Sequence, residues 1–246
     1  MALAPTDVAF QFAKCVRKMG GLPLDDMLEG RSNNTKNADY VFAEDNVIAE
    51  LKCLEVDREA EFRAHGRELI EDWIRRGKMP PSKTGSVSLE ELPKPLLREV
   101  LKPLRNYLNK HVVGEANKQI KQTKKDQNLP DAKGLLLIAN DGNFAWAPDM
   151  MAILLGSILS SEDFSAINAV IYFSVDVKIE GTPLGEASFW IPWSRDKAGK
   201  QSVSAEFLHR LNSAWMAHTS LFTGERVMEF HGDDIYSMRF KRLSSS

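Results

Sequence analysis

Asp39-Tyr40-Val41-Phe42, then Glu44-Asp45-Asn46, then Val47-Ile48-Ala49-Glu50-Leu51-Lys52-Cys53-Leu54 is the stretch on which the reading of this chain turns. Two β-rich runs on either side of a short polar turn predict a hairpin. Side chains alternate along a strand, so Val47, Ala49, Leu51 and Cys53 fall on one face and Ile48, Glu50, Lys52 and Leu54 on the other. Glu50 and Lys52 therefore share a face, with Cα atoms ~6.6–7 Å apart. A carboxylate and an ammonium in so apolar a strand carry a large desolvation cost unless they are paired or open into a cleft.

Hairpin pairing brings Asp39 toward Glu50, which puts two carboxylates and one lysine in a small volume. Mg²⁺ is a hard ion that takes one or two carboxylates together with waters and phosphate oxygens, and Mn²⁺ can use the same oxygen-rich ligand set. Lys52 can orient or deprotonate an attacking water, or neutralise charge on the phosphorus centre. The bland alternative is a solvated edge-strand pair between Glu50 and Lys52 with no chemistry. Ile48 and Leu54 on the same face argue for partial burial instead.

Outward from the hairpin, Val8, Phe12, Cys15, Val16 and Met19 recur at helical spacing, with Thr6 or Asp7 as cap and Gly20-Gly21 as stop. A polar loop, Arg31 to Asn37, separates this helix from the hairpin. After it, Asp57 to Lys78 reads as a charged helix with Phe62, Leu69, Ile70 and Trp73 as its buried stripe. Two further helices are expected from about Leu96 to Lys110, interrupted or kinked by Pro103, and from about Gly114 to Gln127. Gly134 to Asn140 and Ala166 to Val175 are apolar runs suited to strands covered on both faces, and Pro148 opens a helix between them. Helix, strand, helix, strand implies an α/β sheet with crossovers. A strand near Ala187 to Trp193, a helix near Ala205 to His218 and two short strands, Val227 to Phe230 and Ile235 to Phe240, complete the expectation. We read residues 1–246 as a single domain with a helical insertion at about 57–112 and a C-terminal α+β extension at about 180–246.

The composition fits this fold class. Hydrophobic residues make up 43% and charged residues 27% of the 246, too apolar for a disordered chain. With 32 basic and 34 acidic residues the net charge is −2, so any nucleic-acid site must come from local distribution. Cys15 and Cys53 are too few for a disulfide framework and read as buried hydrophobes. No secretory signal pattern and no membrane-length apolar run is visible, so a cytoplasmic protein with no membrane partner is expected.

Asp39, ten intervening residues, then Glu50-Leu51-Lys52 on a strand after an N-terminal helix resembles the PD-(D/E)XK nuclease superfamily, which has the restriction-endonuclease-like fold. The resemblance covers roughly residues 8–54 and extends more loosely to about 175. It implies a central mixed sheet flanked by helices. It also implies that Asp39 and Glu50 bind Mg²⁺ or Mn²⁺, that the main-chain carbonyl of Leu51 adds a ligand, and that Lys52 is catalytic. An acidic residue from the first helix often completes such a site, and Glu29 is the nearest candidate, with Asp26 behind it. The chain departs from the family pattern at Ala38, where a proline often stands, and in the helical stretch where a third hairpin strand would usually follow Glu-x-Lys. The implied activity is metal-dependent hydrolysis of DNA phosphodiesters. The implied setting is prokaryotic defence against foreign DNA, with a helicase or ATPase partner. A non-catalytic nucleic-acid-binding or adaptor module on the same fold is the alternative.

The remaining signal is a basic stretch, Lys102, Arg105, Lys110, Lys118, Lys121, Lys124 and Lys125, in which Glu115 is the only acid noted. Polyanion binding is one reading and a solvated helix face the other. Within it Lys118, Gln119, Lys121, Gln122, Lys124 and Lys125 are the expected DNA-contacting residues, because this helix looks similar to the glutamine-bearing helix beside the cleft in many members of the superfamily. His231-Gly232-Asp233-Asp234 reads as a turn, and Phe189, Trp190, Trp193, Phe207 and Trp215 read as core. No Gly-rich phosphate loop and no Gly-x-Ser-x-Gly elbow occurs.

Overall fold

The computed structural model describes residues 7–24, 26, 37–80, 92–175, 179–182, 185–195, 202–223, 227–232, 234–237 and 239–240. The chain folds as an α/β protein whose mixed sheet is flanked by helices on both faces. Helix α1 (Val8–Lys18) starts where the Asp7 carboxylate accepts a hydrogen bond from the Phe10 N–H at 2.9 Å, and it ends with Arg17 and Lys18 against the C-terminal dipole. Strands β1 (Leu22–Pro23), β2 (Tyr40–Phe42) and β3 (Val47–Leu54) form an antiparallel meander, with Tyr40 opposite Ala49 and Phe42 opposite Val47. The hairpin turn closes through Asn46 at φ 53°, a left-handed conformation asparagine tolerates.

From β3 the chain crosses over through α2 (Glu59–Arg75), α3 (Lys94–Tyr107), a π-helical segment (Leu108–Val113) and α4 (Gly114–Asp126). It returns as β4 (Lys133–Asn140), parallel to β3 and in register from Val47 opposite Lys133 to Leu54 opposite Asn140. Helix α5 (Pro148–Leu159) leads to β5 (Ile167–Ser174), parallel to β4. β7 (Gly185–Ser194) lies antiparallel to β5, β8 (Val227–Glu229) lies beside β7, and β6 (Ile179–Thr182) and β9 (Arg239–Phe240) continue from the first half of β7. Helix α6 (Ala205–Thr223) and the single turn α7 (Asp234–Ser237) complete the described elements.

The alternation expected of β3 is the one observed. Val47, Ala49 and Leu51 join the core under α1 and α6, with Phe12, Phe173 and Trp215. Ile48 and Leu54 join the opposite core under α3, α4 and α5, with Leu108, Ile120 and Leu154. β4 and β5 are buried almost throughout, as strands covered on both faces must be.

Several expectations need correction. The two helices expected at 96–110 and 114–127 form one continuous rod. Pro103 lies inside α3, where it removes a single helical hydrogen bond, and the joint is the π segment. Gly114 makes that joint possible, because a Cβ there would sit 2.7 Å from the Asn109 carbonyl oxygen. Of the stripe expected on α2 only Trp73 is fully buried; Phe62, Leu69 and Ile70 are half-buried against Leu92, Leu96 and Val100. Ile235 belongs to a helical turn, and the two C-terminal strands pair with β7 and β6, not with each other. The helical stretch expected after β3 is observed as α2, and a short strand not expected from the sequence, β1, pairs with β2. The turn expected at His231 carries an ion pair from that side chain to Glu229. The aromatics expected as core are buried, except the half-buried Trp193.

Candidate active site

Asp39, Glu50, Leu51 and Lys52 meet where β2 begins. β2 pairs with β3 only as far as Tyr40 opposite Ala49. Beyond that point the Asp39 side chain takes over, its Oδ2 accepting from the Leu51 N–H at 2.7 Å. A strand residue's N–H and C=O point to the same edge, so the Leu51 carbonyl lies on the edge that Asp39 caps. The main-chain oxygen expected as a ligand is therefore beside the first carboxylate.

Glu50 is 1% exposed, and its Oε1 lies 2.7 Å from Lys52 Nζ. Its Oε2 is buried with no donor among the described residues, and with one of the two acids protonated the Glu50 and Asp39 carboxyls hydrogen-bond each other. Burial pushes the Glu50 carboxyl up to about 8, the nearby Asp39 carboxylate adds to the rise, and Lys52 opposes it. An acid in this state holds its proton at neutral pH unless a cation compensates the charge. Cys53, on the opposite face of the same strand, is pushed up to about 12 by burial and stays a thiol.

Helix α4 arranges the site from above β3. Gln119 Oε1 accepts from Lys52 Nζ at 2.8 Å, and its Nε2 donates to the Asn37 carbonyl at 3.0 Å. One turn on, the buried Thr123 hydroxyl accepts from the Ala38 N–H at 2.7 Å. Residues 119 and 123 share a helix face, so one face holds both the lysine and the segment that delivers Asp39. Gly134, at the start of β4, lets α4 approach: a Cβ there would stand 2.0 Å from the Ala166 carbonyl oxygen and 2.9 Å from Ile120 Cγ2.

The expected nucleic-acid residues divide. Gln119 is part of the site itself. Gln122 is half-buried and donates to Asp126 Oδ1 at 2.7 Å. Lys118, Lys121 and Lys125 are exposed along one line of the helix, with Lys118 paired to Glu115 at 2.9 Å, and Lys124 is half-buried. At 100° per residue that line lies well over a quarter-turn from Gln119, so the helix holds the site with one face and shows its lysines with another. Glu29 lies outside the described residues. Asp26 is exposed and forms a bidentate pair with Arg17, whose Nη2 lies 2.7 Å from its Oδ2.

Sequence reasoning missed Asn37 and Thr123 and gave Gln119 a DNA contact instead of the lysine. The i, i+4 spacing of Gln119 and Thr123 was the available signal. Its meaning depended on which helix face meets β3, which spacing alone does not reveal.

A divalent cation fits the donor set. Two carboxylates and a carbonyl are hard oxygen donors, and a divalent ion would compensate the buried Glu50 Oε2, which has no donor among the described residues. Among the described residues no three His, Cys, Asp or Glu side chains cluster as a metal site, so Asp39 and Glu50 are the two acids here that could hold one. No helix among the described residues is long and apolar enough to cross a membrane. Compared with family models, curated proteins and solved structures, the chain has no match.

Proposed function

We propose that this chain is a metal-dependent nuclease that hydrolyses DNA phosphodiesters at the Asp39, Glu50 and Lys52 site. The observation that carries the reading is the buried Glu50 carboxyl, with one oxygen on Lys52, no donor for the other, and the Asp39 carboxyl close enough to share a proton with it. Without a cation or a proton this is an expensive arrangement, which a purely structural role does not call for. The meander with Asp39 at the start of its middle strand, followed by the parallel β4, also suits the restriction-endonuclease-like resemblance.

Asp39, Glu50 and the Leu51 carbonyl would hold Mg²⁺ or Mn²⁺. Such an ion supplies Lewis-acid stabilisation of the phosphoryl oxygens. Lys52 spends two of its three N–H donors on Glu50 and Gln119 and keeps one for the scissile phosphate or the attacking water. In the hydrolysis one P–O bond forms to the water oxygen and one breaks to the leaving oxygen. The water loses a proton and the leaving oxygen gains one. Lys118, Lys121 and Lys125 supply a sequence-independent hold on the backbone.

The test is incubation of purified protein with supercoiled plasmid and with linear DNA, in Mg²⁺, in Mn²⁺ and in chelator. Metal-dependent cleavage that disappears in Glu50→Gln and Lys52→Ala supports the proposal. Cleavage equal in the variants refutes it. DNA binding without cleavage in the parent favours the adaptor module. Loss of phage protection in cells carrying Lys52→Ala, with a helicase or ATPase gene alongside, tests the defence setting.

A further inference from the structure

The run Tyr107-Leu108-Asn109-Lys110-His111 spans the junction of α3 with the π segment. π turns inside longer helices occur often at functional sites. Here the turn sets the Tyr107 and His111 rings side by side, with centroids 5.4 Å apart. Trp146 backs the Tyr107 ring at 5.8 Å, and the Arg58 guanidinium lies 5.1 Å from the Tyr107 centroid. Tyr107, His111 and Arg58 border a cavity of about 600 Å³ between α2 and the α3–π rod. The volume lies in the ordinary range for small-molecule sites.

The lining combines three chemistries. Phe62 and Leu104 make an apolar wall, and Tyr107 and His111 add aromatic rings. Arg58 and Lys110 bring cationic donors. Glu61, Glu68 and Asn106 add acceptors, and Glu61 reaches Arg58 at 3.2 Å. Arg58 follows the last residue of β3 by four positions, so the cavity lies near the carboxyl end of the strand that carries Glu50 and Lys52. Ligands in open α/β sheets bind outside strand carboxyl ends.

We propose that this cavity binds a nucleotide, with the base stacked on the Tyr107 and His111 rings and the phosphate held by Arg58 and Lys110. A purely apolar ligand would make no use of the Lys110 ammonium or of the Arg58 donors that Glu61 leaves free, and a bare phosphate would make no use of the ring wall. A nucleobase uses all three parts: a flat π face, an edge with donors and acceptors, and an attached anion. The inference does not depend on Asp39, Glu50 or Lys52 being catalytic. Its ligand is either a free mononucleotide or one unstacked residue of a single strand.

Calorimetry on the full chain without divalent metal tests it, using AMP, GMP, CMP, dTMP, ribose 5-phosphate, inorganic phosphate and a ten-residue oligodeoxyadenylate. At least one mononucleotide should bind saturably at one per chain, with ribose 5-phosphate about tenfold weaker or worse. Lys110→Glu and His111→Ala, both at exposed positions, should each weaken nucleotide binding about tenfold while the melting temperature holds. Tighter binding of the oligonucleotide than of AMP identifies a strand as the source, and tighter binding of AMP identifies a free nucleotide. The proposal is overturned if no nucleotide or oligonucleotide binds, if both variants bind like the parent, or if phosphate binds as tightly as the nucleotides. Glu50→Gln should lose cleavage and keep nucleotide binding, so failure of one reading is distinguishable from failure of the other.

Discussion

Glu50→Gln should stabilise the metal-free protein at alkaline pH while removing its activity. Glu50 is almost fully buried, and its carboxyl is raised from 4.5 to about 8. A carboxyl whose folded value is raised binds its proton more tightly in the folded than in the unfolded chain. Stability is therefore complete below about 4.5, declines as pH rises toward about 8, and is flat above it. Each pH unit across that window costs about 1.4 kcal/mol, so at pH 8.5 the wild-type chain carries about 5 kcal/mol of strain from this one group. Glutamine carries no such charge; the attraction of Lys52 is already included in the raised value, and what glutamine loses is the fit of a carboxyl between Lys52 and Asp39. We expect a net gain of about 2 kcal/mol at pH 8.5, or about 4–8 °C in Tm for a chain of this size, and little difference at pH 5. The assay is thermal unfolding of both proteins from pH 5 to 9, with chelator and with millimolar Mg²⁺. Mg²⁺ should raise the wild-type Tm at pH 8 and leave the variant unmoved. Parallel pH profiles for the two proteins, or a variant less stable at pH 8.5, would refute the reasoning.

Gln119→Leu should lower kcat for DNA cleavage about 10–100-fold with KM little changed, because it releases Lys52 without touching the metal donors; steady-state kinetics decide it, and an equal rise in KM would instead mark a DNA contact. Asp39→Asn keeps an acceptor for the Leu51 N–H, so Tm should move by only a few degrees while cleavage falls at least about 100-fold; a large loss of Tm would make Asp39 a structural cap. Gly134→Ala should destabilise by about 3 kcal/mol or more, measured by urea unfolding, since the new Cβ meets a backbone oxygen at 2.0 Å that cannot swing away. Alanine at Lys118, Lys121 and Lys125 together should reduce the slope of log K against log salt for DNA by about 2–3, and an unchanged slope would remove this helix face from the interface.

The hairpin was legible because its two signals agree: alternating apolar residues and a short turn rich in acids and asparagine. The same alternation assigned Ile48 and Leu54 to one core and Val47, Ala49 and Leu51 to the other, as observed. What stayed hidden was short or depended on tertiary contacts. β1 is two residues long and includes Pro23, too little for any periodicity to show. The joint at Leu108–Val113 resembles a break between helices in the sequence, because a glycine, Gly114, opens the second run. Here it instead admits the Asn109 carbonyl of a π turn. Gln119 sits in a lysine-rich run and was read with its neighbours in sequence, whereas its geometry belongs to Lys52 and Asn37.

Calorimetric titration of Mn²⁺ into a metal-free preparation of the full chain, repeated in two buffers of different ionisation enthalpy, addresses the site most directly. The account requires one ion per chain, with release of close to one proton at pH 7 as Glu50 gives up its hydrogen, and loss of that binding in both Asp39→Asn and Glu50→Gln. Mn²⁺ binding that survives both substitutions, or that releases no proton, would contradict it.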